Sequence, residues 1–206
     1  MTKPTIEFWF DFASTYSYLT AMRIDDLARD AGVAVSWQPF LLGPIFKAQG
    51  WTSSPFNIYP AKGRYMVRDM QRLAAERGLV FKMPNPFPQN SLSASRVSLA
   101  IESPELRAEF SRQVFRAEFQ NGANISENPV LESALRTSAM ELGLTIDFKA
   151  IFDAASGGDI KQALRRQTEA AEAAGIFGAP SFRTRDGEIF WGDDRLENAL
   201  NWSQML

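Results

Sequence analysis

Strand-forming sequence occurs only at the two ends of this chain, and that distribution is the strongest constraint on its fold. "TIEFWFDF", 5–12, is a short aromatic run ended by a polar corner, and "VAVSWQPFL", 33–41, is a second run that Pro39 brings to its end. Near the C-terminus, strands at 181–185 and 188–191 flank Asp186-Gly187, a strong hairpin signal. Residues 14–31 between the first two strands read as one helix, with Leu19, Met22, Ile24, Leu27 and Ala28 marking its apolar face and Gly32 its stop. That makes a βαβ unit with a parallel crossover.

From 61 onward the pattern turns helical. A helix is predicted over 61–78, ending at Gly78, and further helices over 91–101, 104–120, 128–142, 147–155 and 157–174. Pro104 and Pro129 suit first-turn positions. Two stretches break the pattern. Residues 42–60 read as a long ordered loop with at most one helical turn, and "MPNPFPQN", 83–90, is too rich in proline for a helix or a central strand. A last helix is predicted over 193–204. The order is therefore βαβ, a helical block, then ββα. It implies an α/β domain at 1–60 and 175–206 interrupted by a large all-helical insertion at 61–174.

The 206 residues are 45% hydrophobic and 12% aromatic, enough for a real core. They include no cysteine and no histidine, which removes disulfides, thiol catalysis, thiolate or imidazole metal sites and a Ser-His-Asp hydrolase. No metal is expected, and any nucleophilic sulfur must come from a ligand. A formal charge of −2 gives no bulk attraction to nucleic acid or an anionic membrane. No apolar run approaches membrane-spanning length, and "MTKPTIEFWFDF" does not read as a signal peptide, so a soluble cytoplasmic protein is expected.

Four places carry residues suited to chemistry. Ser14, in "DFASTYSYL", lies at a strand-to-helix corner. It is either an N-cap or a hydroxyl that donates to an anion such as a bound thiolate at the helix start. Ala179-Pro180, in "GIFGAPSF", is either an ordinary turn before a strand or a cis-proline loop whose backbone pairs with a peptide-like ligand. Asp193 and Asp194, in "FWGDDRL", are either helix-start acids or the partners of a ligand ammonium. Lys47, Lys62 and Arg64 lie among Trp51, Phe56, Tyr59 and Tyr65. They are either solvated or recognise a planar aromatic carboxylate, with Asn57, Asn85 and Asn90 as polar candidates nearby.

Taken in order, "FWFDFASTYSYL", "LLGPIFKAQG", "PAKGRYMVRDMQRLA", "FPQNSLSASR", "GIFGAPSF" and "FWGDDRL" resemble the 2-hydroxychromene-2-carboxylate isomerases. These belong to the DsbA-like thioredoxin group and are similar to kappa-class glutathione transferases. The resemblance implies a thioredoxin-like fold, glutathione as cofactor, an aromatic carboxylate substrate and a homodimer. It puts the key serine at Ser14 and the glutathione contacts at Ala179, Pro180, Trp191, Gly192, Asp193 and Asp194. The substrate side falls on Lys47, Asn57 and Asn85. Thr15 departs from the family's usual proline, which implies a slightly looser corner. The implied chemistry is reversible thiolate addition that interconverts 2-hydroxychromene-2-carboxylate and trans-o-hydroxybenzylidenepyruvate. A kappa-like transferase and a non-catalytic binding module stay open beside it, whereas a disulfide oxidoreductase is excluded by composition.

Overall fold

The computed structural model describes residues 3–206. Four strands form one sheet in the order β2-β1-β3-β4: β1 (Thr5–Phe10), β2 (Ala34–Pro39), β3 (Ser181–Thr184) and β4 (Ile189–Trp191). β1 runs parallel to β2 and antiparallel to β3, and β3 pairs antiparallel with β4. The chain ends thus meet along β1, with Phe8 opposite Trp37 on one side and Phe182 on the other.

The alternation of β1 decides what each sheet face packs against. Ile6, Phe8 and Phe10 enter the main core with Tyr18, Phe115, Phe119 and Leu196, while Trp9 points to the opposite face and packs with Phe40, Ile45, Ala171 and Ile176. Aromatic contacts join the first face closely: Phe8 and Trp37 meet edge-on at 4.9 Å, and Phe12 reaches Phe115 at 5.2 Å.

The predicted helix at 14–31 is two helices, α1 (Thr15–Ala21) and α2 (Ile24–Asp30). The chain breaks at Met22 and Arg23 because the Arg23 side chain turns to Asp193, with Nε donating to Oδ1 at 3.3 Å. The predicted loop at 42–60 is corrected more strongly. It contains α3 (Leu42–Ala48) and the short α4 (Pro55–Ile58), which runs on to α5 (Pro60–Glu76). Here α3 is held by burying Ile45 beneath the sheet, a tertiary contact that overrides weak local propensity.

The helical block follows as expected, with α6 (Leu92–Ala100), α7 (Pro104–Phe119), α8 (Asn128–Glu141), α9 (Phe148–Ser156) and α10 (Gly158–Ala173). Pro104 and Pro129 lie in the first turns of α7 and α8. After β4 a 3₁₀ turn (Asp193–Arg195) leads into α11 (Leu196–Gln204). Among the described residues no helix is long and apolar enough to cross a membrane.

Candidate active site

β1 delivers the chain to a corner at which Ser14 caps α1. Ser14 has extended backbone angles, and its Oγ accepts from Ser17 N at 3.2 Å, so the capping role holds. The same Oγ donates across the fold to the Ala179 carbonyl at 3.1 Å. The Ala179-Pro180 bond is cis. The serine hydroxyl, the free N–H groups of the helix start and the proline loop are thereby held together, a concentration of hydrogen-bond donors suited to an anion. Thr15, first in α1, is buried, and its hydroxyl has no partner among the described residues.

Asp11 braces this corner. Its Oδ1 accepts from Ala13 N at 3.0 Å and its Oδ2 from Leu42 N at 2.8 Å, which ties the end of β1 to the start of α3. Burial pushes the Asp11 carboxyl up from its ordinary range, and hydrogen bonds from Leu42, Ser91 and Ala13 pull it back.

Two glycines shape the adjoining rim. A Cβ at Gly178 would lie 2.4 Å from Trp191 Nε1, so only glycine lets the indole fold over the loop, with Phe177 edge-on to it at 4.9 Å. Gly192 has φ +110, a conformation side chains rarely adopt, and its N–H donates to the Pro180 carbonyl at 2.9 Å.

The two aspartates that follow differ sharply. The Asp193 side chain is 4% exposed and both its oxygens are engaged: Oδ1 accepts from Thr20 at 3.0 Å and from Arg23, and Oδ2 accepts from Arg77 Nη2 at 2.6 Å. The Asp194 side chain is 73% exposed and, among the described residues, pairs only with Arg195, at 3.4 Å.

These groups open on a cavity of about 1440 Å³. That exceeds the roughly 300–1,000 Å³ typical of a single small-ligand site, so a tripeptide-sized ligand and a second small molecule can share it. Its lining includes Ser14, Ala179, Pro180 and Trp191 from the corner and proline loop, and Lys47, Trp51, Phe56 and Lys62 from α3 to the start of α5. Lys47 is exposed, in the last turn of α3, and has no ion-pair partner among the described residues. Gly192, Asp193 and Asp194 also reach the cavity, as does Asn90.

Asn57 and Asn85 do not line it. Asn57 is turned away because its Nδ2 donates to Ser53 Oγ at 3.1 Å and to the Phe87 carbonyl, sewing α4 to the proline-rich segment, and Asn85 is exposed within that segment. Among the described residues no group of three or more acidic side chains could hold a metal ion.

Sequence reasoning missed several residues of the lining, among them Asp11, Tyr16 and Arg77. Asp11 and Tyr16 stand inside the quoted "DFASTYSYL" motif, whose polar pattern could have drawn attention to them. The Tyr16 hydroxyl donates to Asp69 at 2.9 Å, and burial together with that bond pushes the phenol up. Arg77 gives no local signal, since its partner Asp193 lies 116 residues further along the chain. Its Nη1 is buried without a partner although Arg77 lines the cavity.

A cis-proline loop facing a helix N-terminus, beside a β2-β1-β3-β4 sheet, is a thioredoxin-type arrangement, and Ser14 stands at its helix start. Residues 5–201 match the family of DSBA-like thioredoxin domains. Within that group the chain belongs to the 2-hydroxychromene-2-carboxylate isomerase family. It is 31% identical over 200 residues to 2-hydroxychromene-2-carboxylate isomerase of Sphingobium xenophagum, spanning 96% of both chains. The solved structure of a 2-hydroxychromene-2-carboxylate isomerase superposes with a TM-score of 0.83 at 25% identity, over 98% of this chain and 95% of that one. Glutathione S-transferase kappa 2 of Caenorhabditis elegans is 23% identical, over 97% of this chain and 92% of its own.

Proposed function

We propose that the protein is a glutathione-dependent isomerase interconverting 2-hydroxychromene-2-carboxylate and trans-o-hydroxybenzylidenepyruvate. One observation carries this reading. A chain with no thiol of its own holds a serine hydroxyl at a helix start, 3.1 Å from the carbonyl before a cis-proline, inside a cavity with room for two ligands.

The residues present fit glutathione. The Ala179 backbone is the edge on which its cysteinyl unit would lie, and the glycines at 178 and 192 let the Trp191 indole and the Asp194 carboxylate lie close beside it. The orphaned Arg77 Nη1 suits one of its carboxylates. Asp194 is the carboxylate free to meet its ammonium, since both Asp193 oxygens are occupied. Asp193 would act instead by holding Arg77 in place.

When bound, glutathione supplies a thiolate that adds reversibly to an electrophilic carbon, which frees rotation about a former double bond. The chain's own residues supply the setting. Ser14 Oγ–H swings from the Ala179 carbonyl to the sulfur, and the α1 start adds positive potential. Lys47 pairs with the substrate carboxylate, because a charge drawn among Trp51 and Phe56 must be compensated. The apolar wall excludes water from the reacting centre.

The test is turnover of the cyclic acid with substoichiometric glutathione, followed by absorbance while free thiol is titrated. Turnover with the thiol fully recovered is the expected result; no turnover with or without glutathione overturns the reading. The likeness to a kappa glutathione transferase supports a second reading, conjugation of small electrophiles, in which the thiol is consumed in proportion to product.

A further inference from the structure

Behind the Ser14 corner lies a buried acid that neither the fold nor the chemistry above uses. Glu118, in the last turn of α7, is 0% exposed, and among the described residues neither carboxyl oxygen has a hydrogen-bond partner. A carboxylate in that state is far more costly than a neutral acid. Burial, and then the nearby Asp11 charge, push its carboxyl well above the ordinary range. The elements packed against α7 carry Tyr16 and Tyr18 on α1, Arg96 on α6, and Glu132, Arg136 and Glu141 on α8, and Asp11 lies at the corner. Of these, Asp11 alone bears on Glu118.

Other stranded polar groups lie on the elements packed around it. α6 and α7 form a hairpin in which the Ser98 and Ser111 hydroxyls lie 3.3 Å apart. About two helical turns from that contact, toward the Ser14 corner, Ser91 caps the start of α6 and α7 reaches Glu118. Ser95 lies between, 0% exposed, with no partner for its hydroxyl. Thr15, whose hydroxyl is also orphaned, precedes Tyr18 by one turn of α1, and the Tyr18 ring meets Phe119 at 5.5 Å. Gln89 accepts from Ile125 N at 2.9 Å through Oε1 and leaves its buried Nε2 unpaired. Asp11, Thr15, Gln89 and Ser91 line the main cavity, and Glu118 does not. Donors and acceptors stranded together inside a protein are the usual setting for internal water.

We propose that ordered water occupies this polar pocket and links Glu118, which holds its proton, to Asp11 at the cavity wall. The two carboxyls share one proton and give the site an internal proton store. The transfer is balanced. Glu118 Oε gives its proton to a bridging water, the water passes one of its own to an Asp11 oxygen, and the pair keeps one negative charge. Glu118 is a positioning residue, acting through Asp11. The catalytic part of the inference rests on the isomerase reading, in which a chain without histidine needs somewhere to hold a proton during rearrangement.

Infrared difference spectroscopy on the full chain near neutral pH tests the proton. A protonated-carboxyl C=O band that shifts in D₂O and vanishes in Glu118→Gln is expected, and its absence from the wild type overturns the proposal. The sign of the stability change is fixed as well. A raised folded-state pKa gives stability that is fully present below the unfolded value of about 4.3 and is lost as pH rises through the folded one. Glu118→Gln removes that slope in urea unfolding, and an unchanged slope counts against a protonated Glu118. Thr15→Val removes a water partner and keeps both acids, so a band it leaves unmoved overturns the water link; this variant also serves if Glu118→Gln does not fold. With an active enzyme, Glu118→Gln is expected to lower kcat about tenfold or more, to leave the glutathione KM in place and to alter the alkaline limb of the pH profile. Loss of the band with wild-type rates and pH profile overturns the proton-store role. A wild type that binds glutathione and shows no isomerase activity defeats the isomerase reading alone, because the infrared band still decides the shared proton.

Discussion

The wall that carries Ser14 and the wall that carries Lys47 face the same cavity, yet they are held by different physics. Ser14 bonds to Ser17 and Ala179, Asp11 to Ala13 and Leu42, Gly192 to Pro180, and Asp193 to Thr20, Arg23 and Arg77. Several of these bonds join residues far apart in the chain, although the Thr15 hydroxyl and Arg77 Nη1 there have no partner among the described residues. The Lys47 side rests on two short helices, α3 and α4, with Lys47 exposed and without an ion-pair partner among the described residues, and with Phe46, Trp51 and Phe56 half-buried and held by ring contacts such as Phe46–Trp51 at 5.5 Å. A preorganised wall suits a ligand held in one fixed pose, and a sparsely bonded wall suits one whose shape can vary.

The largest effect should come from cutting the brace itself. Asp193→Ala leaves Arg23 and Arg77 without their buried partner, and breaking a buried pair costs about 3–5 kcal/mol. Urea unfolding should show that loss, whereas Asp194→Ala, at an exposed pair, should stay within about 1 kcal/mol of wild type. Equal losses for the two aspartates would erase the contrast between them. Next comes Ser14→Ala. Removing one preorganised donor to a developing anion costs on the order of 10²-fold in kcat, with about 1 kcal/mol of stability lost with the cap. Steady-state kinetics should place that loss in kcat, with little change in glutathione affinity; an unchanged rate sinks the role of the hydroxyl.

On the other wall, Lys47→Met should raise KM for acidic substrates about tenfold, the worth of one hydrogen bond to a charged group. It should leave glutathione binding and a neutral ester analogue alone. Equal losses for acid and ester would mean that Lys47 does not meet the carboxylate. The smallest effects belong to Asn57→Ala and Asn85→Ala, which lie off the cavity wall and should change KM by less than about twofold, as surface substitutions within about 0.5 kcal/mol do. A large KM effect at either position would extend the substrate wall to α4 and the proline-rich segment.

Much of this molecule is legible in one dimension. The strand runs at both ends, the Asp-Gly hairpin and the prolines at 104 and 129 locate the sheet and the helical block, because periodicity and turn chemistry are local. Composition removes thiol and imidazole chemistry outright, and the corner motif singles out Ser14. The break at Arg23 and the helix at Leu42–Ala48 are not legible, because one arises from a bond to Asp193 and the other from burying Ile45 under the sheet. Asp193 illustrates the limit best. As sequence it is one of two adjacent helix-start acids, equal in charge to Asp194. Only the fold brings Arg23 and Arg77 onto it and leaves Asp194 in solvent, because partners that distant in the chain meet only when the sheet closes. Glu118 likewise reads as an ordinary helical glutamate until tertiary packing removes its water and its partners together.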